Sequence, residues 1–150
     1  MLDAIFSAAN GLALLGWLCL LGAHRKRWAN WWLTGVAIPS ALALLYLALM
    51  VSSWGAAQGG FDSLAGVAML FGSPPLLLAG WVHYLAFDLF IGSCEVRDAR
   101  RLGIHHLLVI PCLAFTFMLG PVGLLAYLLL RFAARGQWMI DDAASVKIAN

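Results

Sequence analysis

The sequence predicts an all-α integral membrane protein, a bundle of four transmembrane helices with short connections and no separate soluble domain. Two observations carry this. Of the 150 residues, 63% are hydrophobic and 11% charged, with a mean hydropathy of +0.90. A soluble domain carries about 25% charged residues and needs them to cover its surface. The few charges also cluster. With His counted neutral, they leave uncharged stretches at 4–23, 28–61, 63–87 and 106–130, each long enough for the roughly 20 residues with which a helix crosses the hydrocarbon core.

The first helix occupies about 4–22. Its apolar run before Ala23 has the outline of a secretory signal, but a signal begins with a positive segment. Here that segment holds Asp3 and neither Lys nor Arg, and the basic cluster Arg25-Lys26-Arg27 follows the run instead. The expectation is a retained helix. Trp28, Trp31 and Trp32 come next, as aromatics of the membrane interface do. The second helix covers about 33–53 and contains Pro39, which is tolerated near a helix start or kinks it. Residues 54–60 read as a turn. The apolar stretch 61–71 is too short to span and reads as an interfacial or re-entrant piece.

Ser73-Pro74-Pro75 signals a helix start, a capping hydroxyl followed by Pro in the first turn. The third helix runs over about 74–94 and can continue as a polar turn to Arg101, before Gly103. The fourth covers about 105–131 with Pro111 and Pro121 inside it. A mixed tail, 132–150, lies outside the bilayer. Lys and Arg number three in the first loop, three in the third connection (Arg97, Arg100, Arg101) and three in the tail region (Arg131, Arg135, Lys147), with none in the second loop. Over four crossings the positive-inside rule then places both termini outside the cytoplasm. The net charge of +2 is too small, and too closely tied to helix ends, to indicate nucleic acid. Cys19, Cys94 and Cys112 form no C-x-x-C motif and read as small buried hydrophobes.

Asp88 carries the most information about chemistry. A carboxylate at this depth of an apolar helix costs about 2.5–3.5 kcal/mol on insertion scales, so it must face the bundle interior, find a partner or take up a proton, and such acids are functional candidates. Tyr84, four residues earlier, lies directly over it on a helix. His83, five residues earlier, falls about 140° away, so it shares no narrow stripe with Asp88, although both can border one pocket. Glu95 shares the face of Tyr84 and Asp88, and Asp98 follows three residues later. His105 and His106 open the fourth helix across a short turn. Glu95, Asp98, His105 and His106 thus form a secondary polar cluster, read as an interfacial salt-bridge layer with Arg97, Arg100 and Arg101; no metal-binding spacing such as H-E-x-x-H is present. Pro111 and Pro121 remove the i+4 donors of the Leu107 and Phe117 carbonyls. Gly120 and Gly123 permit close backbone approach, so that with Trp81 these positions can shape a pocket.

The run Trp81-Val-His-Tyr-Leu-Ala-Phe-Asp-Leu-Phe90, Asp98, Ile110-Pro-Cys-Leu113 and Gly120-Pro-Val-Gly123 resemble the abscisic-acid-deficient-four-like membrane family, whose plant members are needed to make neoxanthin from violaxanthin. The likeness is clearest over 81–131, and the 93–101 connection and the Leu-rich end of the fourth helix look like the bacterial branch, which implies a bacterial inner membrane. The resemblance implies a lipophilic substrate, a carotenoid or related isoprenoid. It also implies an isomerisation in which an epoxide opens as a proton leaves carbon, with no redox cofactor. The matching acid–base positions are Asp88 and His83, with Tyr84 orienting Asp88. A non-catalytic lipid-binding protein that organises another membrane enzyme, a homo-oligomer, and a proton-coupled carrier subunit are the other readings of the same residues.

Overall fold

The computed structural model describes residues 1–22, 26, 28–53, 55, 58–136 and 138. The expected loop residues Arg25 and Arg27, and the tail from 139 onward, lie outside the described residues. Within them the chain is all-helical: α1 (Leu2–Gly22), a π-helical segment (Ala29–Ala37) running into α2 (Ile38–Ser53), α3 (Leu64–Phe71), α4 (Pro74–Arg101), α5 (His106–Leu119) and α6 (Pro121–Arg135). Among the described residues, three stretches are long and apolar enough to cross a membrane: Leu2–Gly22, Trp31–Ser53 and Pro74–Arg101.

The π-helical segment ends just ahead of Pro39. Proline clashes with the carbonyl four residues earlier and offers no N–H, so the turn before it widens, and the Ile38 amide reaches back to the Leu33 carbonyl. Thr34 lies in this segment, fully buried, with its hydroxyl 3.3 Å from Ser93 Oγ on α4. The short apolar stretch after the turn folds as α3, started by Ser63, whose hydroxyl accepts from the Gly66 amide at 3.0 Å. At the start of α4 the prolines occupy the first turn, but Ser73 makes no side-chain capping bond. The pre-set proline φ, not the hydroxyl, defines that start.

α4 is the central element, and its buried residues are distributed all round it. α1 lies parallel to it: Trp81 Nε1 donates to Asn10 Oδ1 at 3.1 Å, Trp17 packs where Gly92 leaves room, and further along, His106 Nε2 donates to the Leu21 carbonyl at 3.2 Å. α2 returns antiparallel, pairing Thr34 with Ser93 and Tyr46 with His83. Hydrocarbon gives helices no hydrophobic reason to associate, so close packing at small residues and interhelical hydrogen bonds hold them.

The expected fourth helix, 105–131, is corrected. It is two helices that turn back on each other at Gly120, which adopts φ +44°. Gly123 of α6 lies directly against the backbone of Thr116 in α5, leaving no space for a Cβ. Pro121 cannot continue a helix from Gly120 by hydrogen bonding and instead opens α6. With 14 and 15 residues, each arm is about 22 Å long, short of a full crossing. The far arm returns to the end of α4, where Arg131 meets Asp98 and Arg135 Nη2 donates to the Gly103 carbonyl at 3.1 Å. Met1, by the parallel course of α1, stands at the other end. The two ends of the described bundle therefore lie on opposite sides, not on one side as an uninterrupted fourth crossing requires.

Candidate functional site

One face of α4 brings Tyr84, Asp88, Glu95 and Asp98 against the α5–α6 hairpin. Helical periodicity makes the face; the hairpin supplies what stands opposite. Asp88 is 9% exposed, with Oδ1 2.8 Å from where a Cβ on Gly120 would sit. Its carboxylate thus fills the space that a side chain at the hairpin tip would need. α6 starts one residue beyond, with Pro121 lacking an N–H and the Gly123 and Leu124 amides donating to the Gly120 carbonyl at 3.0 and 3.2 Å, so the positive end of its helix dipole adjoins the acid. Asp88 Oδ2 is buried and without a hydrogen-bond partner.

Tyr84 donates from its hydroxyl to the Phe117 carbonyl at 3.0 Å. That carbonyl is the one Pro121 deprives of its helical donor, so the tyrosine satisfies a group the proline orphaned. Its hydroxyl also interacts electrostatically with the Asp88 carboxylate. Trp81 packs at a tilt against Tyr84, ring centroids 5.5 Å apart, and against Phe6 at 5.8 Å. Phe117, against which Trp17 packs edge-on at 5.4 Å, is exposed, so the surroundings of Tyr84 are aromatic.

Glu95 is 1% exposed. The Thr116 hydroxyl can donate to Glu95 Oε1 at 2.9 Å or to the Cys112 carbonyl at 3.0 Å, and Glu95 Oε2 has no partner. Asp98, by contrast, is fully engaged: Tyr127 donates to Oδ2 at 2.6 Å, Arg131 Nε to Oδ2 at 2.7 Å and Arg101 to Oδ1 at 2.9 Å.

The secondary cluster therefore divides. Glu95 and Asp98 face the hairpin. His105 caps α5, its Nδ1 accepting from the Leu107 amide at 3.4 Å, while His106 ties α5 to the end of α1. Arg97 lies over the Trp31 ring at 5.9 Å. Among the described residues no three His, Cys, Asp or Glu side chains come together as metal ligands would. His83 is not brought to Asp88: its ring packs between Tyr46 (5.6 Å) and Phe87 (4.6 Å), bordering a cleft with α2 and α3. Pro111 and Pro121 are exposed, and Gly120 and Gly123 are buried at the hairpin contact.

Sequence reasoning passed over Tyr127, Arg131 and Thr116. A signal for the first two was present: Gly123, Tyr127 and Arg131 recur every fourth residue, one stripe of a helix. Reading 105–131 as a single rod pointed Arg131 away from Asp98 and hid the stripe's purpose.

No curated protein and no solved structure gives a significant match to the chain. Residues 4–127 match the ABA4-like family, described as ABA DEFICIENT 4-like. That match covers α1 to α5 and the first half of α6, including every acid of the α4 face. The chain is a membrane protein of the ABA DEFICIENT 4-like family.

Proposed function

We propose that this ABA4-like protein is an intramembrane isomerase acting by acid–base chemistry on a carotenoid or related isoprenoid lipid. It would lie in a bacterial inner membrane with its basic end in the cytoplasm. The observation that carries the reading is Asp88, a buried carboxylate at bilayer depth with Oδ2 free of partners, held at a helix break beside Tyr84 and Trp81. A purely structural acid is expected to spend both oxygens on partners, as Asp98 does.

The chemistry closes without a redox partner. Asp88 takes a proton from carbon as the electron pair of that C–H bond forms a new C=C bond and the allylic C–O bond of an epoxide breaks. Tyr84 gives its hydroxyl proton to the departing oxygen, and Asp88 returns the abstracted proton to Tyr84. Substrate and product have the same composition. His83, on the other face of α4, takes no part in this sequence.

The test is conversion of an epoxy-carotenoid by protein reconstituted in lipid, comparing wild type with Asp88→Asn. The amide keeps the shape and removes the base, so turnover is expected to fall by about 10²–10⁴-fold with insertion and thermal stability retained. Unchanged turnover in a folded Asp88→Asn protein overturns the assignment. Pigment retained without turnover by wild type moves the function to carriage of the lipid.

A further inference from the structure

A cleft of about 240 Å³ lies between the second half of α2, α3 and the first third of α4. Among the described residues its walls are almost wholly apolar, Met50, Val67, Leu70 and Phe71 included, and the polar side chains that reach it are Tyr46 and His83. α3 is held in place as its outer wall: Ser63 caps it, the Gly60 amide donates to the Gly66 carbonyl at 3.3 Å, and Phe71 lies in the space that Gly80 leaves open on α4.

The polar pair is placed where it needs a partner. His83 is nine residues into α4, about 14 Å along its axis, near the middle of a hydrocarbon core roughly 30 Å thick. Its imidazole and the Tyr46 hydroxyl, with ring centroids 5.6 Å apart, make no hydrogen bond to the protein among the described residues. At that depth a polar group without a partner is costly, because no bulk water serves it. Neutral imidazole offers one donor and one acceptor, and the phenol offers both. The volume is below the roughly 300–1,000 Å³ that encloses a drug-sized ligand, so the cleft takes the end of a longer molecule.

We infer that the α2–α3–α4 cleft is a binding site for the end of a bilayer-dissolved long-chain or isoprenoid molecule carrying a hydroxyl or carbonyl oxygen, which His83 and Tyr46 hold by hydrogen bonds. It lies on the face of α4 away from Asp88 and does not depend on the chemistry proposed there. The remainder of the ligand extends along α2 and α4 into the acyl chains.

The experiment uses full-length protein in nanodiscs with a long-chain alcohol bearing a diazirine next to its hydroxyl, and a matched diazirine hydrocarbon lacking the oxygen. Saturable labelling at Met50 and Phe71 is expected, competed by unlabelled alcohol, with the hydrocarbon weaker. His83→Leu is expected to weaken the alcohol by roughly 3- to 10-fold, the worth of one hydrogen bond, and to leave the hydrocarbon unchanged. Tyr46→Phe, which keeps the shape, is the second variant in case His83→Leu does not fold. Asp88→Asn is expected to label as wild type, which separates this site from the isomerase reading. Labelling that never saturates and spreads over the lipid-facing residues means annular lipid only and overturns the inference. Saturable labelling without preference for the alcohol, or insensitive to both variants, overturns it equally.

Discussion

Asp98 and Asp88 show two ways for one side chain to exist at a helix interface, one at the basic end of the bundle and one at bilayer depth. Asp98 accepts from Tyr127, Arg131 and Arg101, and Arg131 is itself fully buried. Removing one member of such a pair strands the other, at about 3–5 kcal/mol, whereas replacing both with apolar residues of similar volume is often neutral. Arg131→Met should therefore lower stability by up to about 3–5 kcal/mol, and the double variant Arg131→Met/Asp98→Leu should recover part of it, the buried Tyr127 hydroxyl then lacking its acceptor, as read by thermal unfolding in detergent. A double variant no better than the single would show that the pair is not what holds α6. Asp88 instead adjoins Gly120, whose φ of +44° with ψ −93° lies outside even the left-handed helical region and is costly for an L side chain by roughly 1–3 kcal/mol. The methyl of Gly120→Ala would also meet Asp88 Oδ1. Gly120→Ala should destabilise by more than that backbone term in wild type, and by the backbone term alone when Asp88 is Ala. Coupling near zero in this double-mutant cycle would contradict the contact.

At the scale of elements, the hairpin depends on an exchange between proline and tyrosine. Pro121 opens α6 and takes the donor from the Phe117 carbonyl; the Tyr84 hydroxyl replaces it. Tyr84→Phe should leave that carbonyl unsatisfied, lowering stability by about 1–3 kcal/mol, and should loosen the α5–α6 tip in hydrogen exchange more than the α1–α4 contact. Uniform loosening of the whole bundle would argue against this local role. The hairpin arms also need contact at Gly123, which touches the Thr116 backbone. Thr116 is in turn the hydrogen-bond donor of Glu95. Gly123→Leu should therefore separate the arms and release Glu95 from Thr116, giving a misassembled protein at lower yield on purification. Full yield and unaltered melting would mean the arms do not pack as described.

For the whole molecule the consequence is topology. An uninterrupted fourth helix sends the chain across the membrane; the hairpin returns it at Arg135 to the side where α4 ends. Arg97, Arg100, Arg101, Arg131 and Arg135 then stand at one end of the bundle, and the positive-inside rule supports the proposed placement of that end in the cytoplasm. In a background with the native cysteines changed to Ser, Gly136→Cys should react with a membrane-impermeant thiol reagent in inside-out vesicles and not in intact cells. Gly55→Cys should show the reverse. Labelling of both from the same side would restore the four-crossing arrangement.

Read alone, the sequence establishes the membrane setting, the three long apolar helices, the proline-set start of α4 and the family; that 64–71 is helical and that α4 runs on as helix through 95–101, where a polar turn is expected, came from the structure. The former rest on local quantities: hydropathy summed over a window, proline and glycine at element ends, and a motif read in order. The sequence also identified the Phe117 carbonyl as lacking a donor, because proline chemistry is local. Only the tertiary structure decided which donor replaced it, that 105–131 folds back at Gly120, that Arg131 and Tyr127 close on Asp98, and that His83 faces α2 and α3. A proline and a glycine permit a kink or a reversal alike, and the choice between them is made by contacts distant in sequence: Tyr84 with Phe117, Glu95 with Thr116 and Asp98 with Arg131. The periodicity of α4 gives the angle between His83 and Asp88; which neighbours fill the space on either side is settled by how the other helices pack.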